Sequence, residues 1–405
     1  MVAPLLRFTE FTDDWEETTL ENLAEVERGK FSVRPRNDPR YFDGEMPFVQ
    51  TGDVAGSDMY LKGYSQTLNA DGIKVSKVFP ADTILITIAA NIGDTTITRY
   101  AVACPDSVVA IQSKKDKANT IFLKNLIDLQ KEVLDSQATQ NAQKNINLQV
   151  LKPLELFAPS IEEQTKIASF LSNVDEKISQ LTQKHQLLSQ YKQGMMQKLF
   201  SQQVRFKADD GSEFGEWENK PLSELSEKAM YGMNASATEY DGLNKYLRIT
   251  DICEISHKLK RDNLTSPNAE LEEKYKLGYG DLLFARTGAS VGKSYLYSVD
   301  DGIAYFAGFL IKFSLKLDLV NPYFLFAQTL TLDFDKWVIT NSMRSGQPGI
   351  NAEEYSSYIF KVPCLEEQTK IANFLSAIDQ KIEVVAQQIE QAKLWKKGLL
   401  QQMFV

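Results

Sequence analysis

Residues 162–200 read EEQTKIASFLSNVDEKISQLTQKHQLLSQYKQGMMQKLF, and residues 366–404 read EEQTKIANFLSAIDQKIEVVAQQIEQAKLWKKGLLQQMF. Eighteen of the 39 positions are identical at a constant offset of 204 residues, including all seven of EEQTKIA, so the chain is an internal duplication. Each copy lacks proline, carries one late glycine (Gly194, Gly398) and is rich in Gln, Lys, Leu and Ala, which predicts one long helix. Leu171, Val174, Ile178, Leu181, His185, Leu188, Lys192, Met195 and Leu199 alternate steps of three and four. Leu375, Ile378, Ile382, Val385, Ile389, Ala392, Lys396, Leu399 and Met403 do so in the same register. A seam held for about four heptads is the pattern of a coiled coil. A helix of this length is roughly 60 Å long, and its simplest partner is the other copy. The competing arrangement is two separate amphipathic helices, each covering its own domain. The shared register, with Lys192 and Lys396 at matching core-type positions, favours a specified pairing.

The remaining composition bounds the chemistry. The chain has 405 residues, 43% of them hydrophobic, enough for two domains with sizeable cores. No apolar run of about 18 residues predicts a membrane span, and the start MVAPLLRFTEF lacks a signal-peptide layout. Cys104, Cys253 and Cys364 are scattered and odd in number, as expected of reduced thiols in a cytoplasmic protein. His185 and His257 are the only histidines, too few for a His/Cys metal cluster, and no metal site is expected. The net charge of −9 argues against a protein that grips nucleic acid alone by bulk charge.

Residues 1–158 and 201–362 read as two weaker copies of one globular unit, with the helices over 159–200 and 363–405. Trp15-Glu16 with Leu20 and Leu23 matches Trp217-Glu218 with Leu222 and Leu225. Residues 48–54 (FVQTGDV) resemble 246–252 (YLRITDI), and 80–86 (PADTILI) resemble 278–284 (GYGDLLF). Residues 143–147 (QKNIN) resemble 347–351 (QPGIN), and Leu6-Arg7-Phe8 echoes Val204-Arg205-Phe206. Between these anchors the copies diverge, so the scaffold is shared and the surface is not. Short β-rich runs over 83–88, 95–98, 107–112, 281–285, 293–297 and 309–313 precede one helix in each copy, near 119–134 and 322–338. The order predicts an α+β fold. Residues 201–215 are polar and aperiodic and read as a linker.

Three catalytic-looking features are better read as structure. TGASVGKS, 287–294, has three residues between its glycines where a phosphate-binding loop needs four. A strand-like segment follows it, and Asp94 stands where Lys293 does in the first copy. Asn321-Pro322-Tyr323-Phe324 is one proline short of an amino-methyltransferase motif and reads as a helix start, with no glycine-rich cofactor fingerprint elsewhere. Asp53, Asp82, Asp251 and Asp281 recur at similar places, but the pair before strands suits turns and no nuclease pattern surrounds them. No cofactor is expected.

The repeated EEQTKIAxFLSxxDxKI, together with the tryptophan-led domain starts, the Gly-Asp-Leu-Leu strand, the Arg286–Lys293 loop and the Gln-x-x-Ile-Asn pieces, resembles the specificity subunits of type I restriction-modification enzymes. The resemblance covers the whole chain. It implies two target recognition domains, each reading one half of a bipartite double-stranded DNA sequence, and two helices that pair antiparallel and set the spacer. It also implies a non-catalytic chain on which two methyltransferase (modification) subunits dock with their S-adenosylmethionine site, and to which two restriction subunits can add translocation and cleavage.

Base readout favours Arg, Lys, Asn, Gln and hydroxyl side chains on loops that reach a groove. The candidates are Arg34, Arg36, Gln50, Thr51, Asn91, Gln143 and Lys144 in the first unit. In the second they are Arg248, Thr250, Arg286, Ser290, Lys293, Arg344 and Gln347. The expected helix–helix seam is Leu171, Val174, Ile178, Leu181, Leu188 and Met195 with Leu375, Ile378, Ile382, Val385, Ile389 and Leu399. A scaffold whose two arms bind two proteins is the alternative function, and a self-contained methyltransferase is disfavoured by the missing fingerprint.

Overall fold

The computed structural model describes residues 3–89, 91–137, 145–343 and 346–405. The chain divides into two units, Met1–Thr182 with Gln387–Val405 and Gln183–Ala386. The dividing points fall inside the two long helices, Ile161–Phe200 and Leu365–Met403. The N-terminal half of the first helix thus lies with the C-terminal half of the second in one unit. The reverse holds in the other unit, so the helices run antiparallel.

The positions expected to form the seam are withdrawn from solvent. Leu171, Val174, Leu181, Leu375, Ile378, Val385, Ile389 and Leu399 are buried, and Ile178, Leu188, Met195 and Ile382 are half-buried. The two lysines at core-type positions are neutralised: Lys396 Nζ lies 2.6 Å from Asp175 Oδ1 in the first unit, and Lys192 Nζ lies 2.6 Å from Asp379 Oδ1 in the second.

In EEQTKIA the second glutamate and the glutamine tie each helix start to its unit in the same way. Glu163 and Glu367 are buried and accept Arg7 and Arg205 bidentately, with Nη2 to carboxylate distances of 2.7 Å in both. The second residue of each Arg-Phe pair packs too, Phe8 against Phe170 and Phe206 against Phe374. Gln164 Oε1 accepts the backbone N–H of Asn119, and its amide donates to the carbonyls of Lys117 and Pro159. Gln368 makes the same three bonds, to Asn321, Leu319 and Pro363. The segment 201–215 is therefore no free linker: Arg205 anchors it, and Lys207 and Glu213 pair across a turn.

Each unit holds a four-stranded antiparallel sheet of one topology. In the first the order is Ala24–Arg28, Val108–Ser113, Ile84–Thr87, Thr95–Ile97; in the second it is Met230–Tyr231, Leu310–Ser314, Asp281–Ala285, Ser294–Leu296. The middle strands are mostly apolar on both faces, with Ile84–Thr87 and Asp281–Ala285 buried throughout and the other two half-buried only at their C-terminal ends. A short antiparallel pair, Glu16–Thr19 with Glu155–Ala158 or Glu218–Pro221 with Ile359–Val362, joins the start of each unit to the strand before its long helix. Phe404 stacks on Phe122 at 5.1 Å with Trp15 alongside in the first unit, and Phe200 and Trp217 meet Phe324 in the second.

The expected single helix after the strands is two helices in each unit. Thr120–Leu129 is followed by Lys131–Ser136, and Pro322–Gln328 by Leu332–Ser342. The second break has a visible cause. Thr329 and Thr331 donate their hydroxyls to the carbonyls of Phe326 and Gln328, and the Thr331 side chain then caps the next helix at Phe334. Asn321 caps its helix through the N–H groups of Tyr323 and Phe324, with Pro322 at the first position.

The recurring aspartates are structural, and their matching needs correction. The strand register pairs Ile84 with Ile97 and Leu282 with Leu296, which makes Asp82 the equivalent of Gly280 and Thr83 the equivalent of Asp281. Asp82 and Gly280 share the left-handed backbone, φ 63° and 89°. Asp281 is buried, accepting Gly278 N–H at 2.8 Å and the Ser314 hydroxyl at 2.5 Å. Asp53 and Asp251 cap equivalent turns by accepting the backbone N–H of Gln50 and Arg248.

Candidate nucleic-acid interface

The equivalent sheets end in loops that carry different side chains on the same frame. At the end of one middle strand, Ala285 leads to Arg286 in the second unit where Thr87 leads to Ile88 in the first. The outer strand ends at Tyr231 or Arg28, and the partner strand begins after Phe309 or Ser107. Both outer strands are followed by a glycine that the fold requires. A Cβ on Gly29 would fall 2.3 Å from the Pro105 carbonyl oxygen, and one on Gly232 2.2 Å from that of Ala307.

In the second unit the Arg286 guanidinium lies 5.1 Å from the ring centre of Tyr231 and 5.8 Å from that of Phe309. The Arg286 carbonyl accepts Ile350 N–H and the Pro348 carbonyl accepts Gly288 N–H, which ties this loop to the segment around 346–350. Gln347 is exposed and covers the 288–290 turn, its Nε2 3.0 Å from where a Cβ on Gly288 would lie. The structure thus brings the loop of Arg286 and Ser290 against the segment that carries Gln347. Residues 287–294 form a 3-10 turn, Gly288–Ser290, leading into a strand; no helix follows.

Lys293 departs from expectation. It was a candidate for an exposed loop cation, but it is buried, and its ammonium is held by the Glu254 carboxylate and the Ile252 carbonyl. Arg248 is half-buried and pairs bidentately with Asp251, at 2.7 and 2.8 Å, and those hydrogen bonds push its pKa upward. Thr250 beside it is exposed. Arg344 lies outside the described residues, as do Gln143 and Lys144.

In the first unit Gln50, the counterpart of Arg248, donates to Gln66 Oε1 at 2.9 Å, with half-buried Thr51 next to it. Arg36 is exposed and paired with Asp106 at 2.8 Å, and Arg28 donates to the Asp106 carbonyl. Arg34 folds back on the Val33 carbonyl at 2.7 Å, and Asn91 is exposed. Tyr231, Phe309, Arg28 and Asp106 were not among the sequence candidates. Arg28 and Tyr231 each precede a glycine that makes a close approach, Gly29 and Gly232, but no local feature of the sequence marks Phe309 or Asp106.

Among the described residues no group of three or more His, Cys, Asp or Glu is placed to hold a metal ion. No helix among them is long and apolar enough to cross a membrane.

Two segments of the chain, residues 12–190 and 215–394, match the family model of the type I restriction modification DNA specificity domain. The chain is 24% identical over 397 residues to the type I restriction enzyme MjaVIII specificity subunit of Methanocaldococcus jannaschii, covering 89% of this chain and 88% of that one. It is 25% identical over 417 residues to the putative MjaX specificity subunit of the same organism, covering 96% and 93%. Its fold resembles the crystal structure of the type I restriction-modification S subunit from M. genitalium, with a TM-score of 0.63 at 17% identity over 100% of this chain and 99% of that one. With two copies of the domain across nearly its whole length, the chain belongs to the type I restriction-modification specificity subunits and carries two target recognition domains.

Proposed function

We propose that this chain, in the cytoplasm, catalyses nothing itself and reads a bipartite, asymmetric duplex DNA target. Each unit reads one half, and the paired helices set the number of unread base pairs between the halves. Two methyltransferase subunits dock on it and supply the S-adenosylmethionine site and the methyl transfer. Two restriction subunits add translocation and cleavage where the system has them. The reading rests on one observation above all: two units of one topology present different side chains at the same places. Tyr231, Arg286 and Phe309 stand where the first unit has Arg28, Ile88 and Ser107, and Arg248 stands where it has Gln50. A shared frame with divergent loops suits two ligands of one kind that differ in sequence. The acidic net charge suits partners that supply much of the phosphate contact.

The proposed base-reading set is Arg34, Arg36, Gln50, Thr51, Asn91, Gln143 and Lys144 for one half-site. Arg248, Thr250, Arg286, Ser290, Arg344 and Gln347 are proposed for the other. Lys293 leaves the set because its charge is already taken inside the protein. The test is co-expression with a modification subunit followed by sequencing for methylated bases. Methylation at one split motif, lost when this chain is omitted, supports the reading. A complex that forms but marks no motif returns the chain to the adaptor alternative.

A further inference from the structure

We propose that Arg286 reads a guanine in the half-site of the second unit and is held flat for that task by Tyr231 and Phe309. The inference rests on the sequence-reading role above and deepens it. Arg286 and Arg99, which stacks on Tyr60, aside, every described arginine donates to a carboxylate or carbonyl of the chain. Arg286 donates to none among the described residues: its Nε is buried without a partner, and its guanidinium carbon lies near both rings. With Nε shut in, the two terminal nitrogens are the edge left for a ligand. Two coplanar donors at fixed spacing match O6 and N7 of guanine in the major groove.

A phosphate would accept the same edge, and the surroundings decide between them. Phosphate sites gather several cations or backbone N–H groups, whereas the neighbouring cation on this loop, Lys293, is turned inward to Glu254. The rings beside Arg286 are open to solvent, Tyr231 at 42% and Phe309 at 60%. They offer apolar contact to a base edge, and they restrict the arginine in advance, which lowers the entropy lost on binding. In the first unit Ile88 takes the place of Arg286, so the same reading is absent from the other half-site.

The experiment uses the full chain in complex with its methyltransferase subunits, on duplexes carrying the methylated motif. Each G·C pair is replaced in turn by A·T, and Kd is measured for the parent, Arg286→Ala and Phe309→Leu complexes. In the parent, one pair in one half costs about ten- to a hundredfold in affinity. The Arg286→Ala complex binds the intact motif weaker by a similar factor, is indifferent at that pair, and keeps full discrimination in the other half, which also shows that it is folded. Phe309→Leu, a change on an exposed ring, relaxes the same pair in smaller measure. If Arg286→Ala weakens every duplex by one common factor and all discrimination survives, Arg286 is a phosphate contact and the inference is wrong. Unchanged binding rejects it as well. A parent complex that binds every duplex alike rejects the sequence-reading role itself, and this inference with it.

Discussion

Lys192 Nζ lies 2.6 Å from Asp379 Oδ1, on the seam of the second unit. The first unit repeats the pair 204 residues on, with Lys396 and Asp175 at the same distance. Aromatic contacts repeat beside them, Tyr191 with Phe374 and Phe170 with Trp395. An antiparallel pair of duplicated helices brings each residue of one copy against its counterpart's partner, so one sequence motif builds both halves of the seam.

Each pair is half-buried, with the Lys192 side chain 16% exposed and Asp379 27%. Removing one partner strands the other charge in a partly desolvated place, at a cost of about 1–2 kcal/mol after allowing for the remaining solvent. Lys192→Met is expected to lower the urea midpoint of the second unit. In a Tyr323→Phe background, where no hydroxyl is stranded, the double change Lys192→Met with Asp379→Leu is expected to regain most of the loss, because the seam around it is apolar. A double variant as unstable as the single one would contradict this account.

The two aspartates are not equally served. The Tyr323 hydroxyl donates to Asp379 Oδ2, whereas Asp175 Oδ2 is buried with no hydrogen-bond partner. Ile121 stands where Tyr323 does, two residues past the capping Asn119 or Asn321. Tyr323→Phe is expected to cost about 1–2 kcal/mol by leaving that oxygen unpaired. Ile121→Tyr is expected to stabilise the first unit by about 1 kcal/mol. Hydrogen exchange of the seam amides in each unit checks both changes separately, and equal protection in parent and variants would dismiss the role of the hydroxyl.

What the sequence shows and hides follows from the range of each interaction. The seam from Leu171 to Met195 is legible because its spacing is a local property of one helix. The Asn321-Pro322 helix start is legible for the same reason. Arg7 and Arg205 stood out only as echoes of each other, since their partners Glu163 and Glu367 lie more than 150 residues away. Lys293 looked like a free loop cation until Glu254, 39 residues earlier, met it in the fold. Tyr231 and Phe309 are not legible in the sequence, because nothing local to an aromatic residue says that it will be exposed beside Arg286.

Gln368 carries the same logic into the helix start. Its carbonyl accepts Asn321 N–H at 2.8 Å, and its amide donates to Leu319 at 3.1 Å and Pro363 at 2.8 Å. A carboxylate keeps the first bond and loses both donations, setting its charge against two buried carbonyls. Gln368→Glu is therefore expected to destabilise the second unit at neutral pH at least as much as Gln368→Ala, by about 2–4 kcal/mol for the bonds lost. Thermal unfolding of the two variants decides it. A Glu variant close to the parent in Tm would show that donation from this side chain matters little.

The second unit is also expected to be the more alkali-sensitive. Tyr295 and Tyr355 are buried, and burial pushes both phenols above their ordinary value, with Asp301 adding to the effect at Tyr295. The half-buried Tyr358 is pushed up to about 12, again chiefly by burial. An unfolded tyrosine ionises near pH 10. Above that pH the unfolded chain gives up protons that the folded unit retains, so stability is complete below about pH 10 and falls as the pH rises. Each fully buried phenol contributes about 1.4 kcal/mol per pH unit to that fall. Among the described residues of the first unit one group is comparably buried, the Cys104 thiol, raised to about 12 by burial. Its loss of stability is accordingly expected to be shallower once tyrosines begin to ionise. Hydrogen exchange in moderate urea between about pH 9 and pH 11 separates the units, once rates are corrected for intrinsic base catalysis. Steeper loss of protection over the strands at Asp281–Ala285 and Leu310–Ser314 than over those at Ile84–Thr87 and Val108–Ser113 is the expected result. Parallel decline of both sheets would show that the buried phenols do not set the alkaline limit.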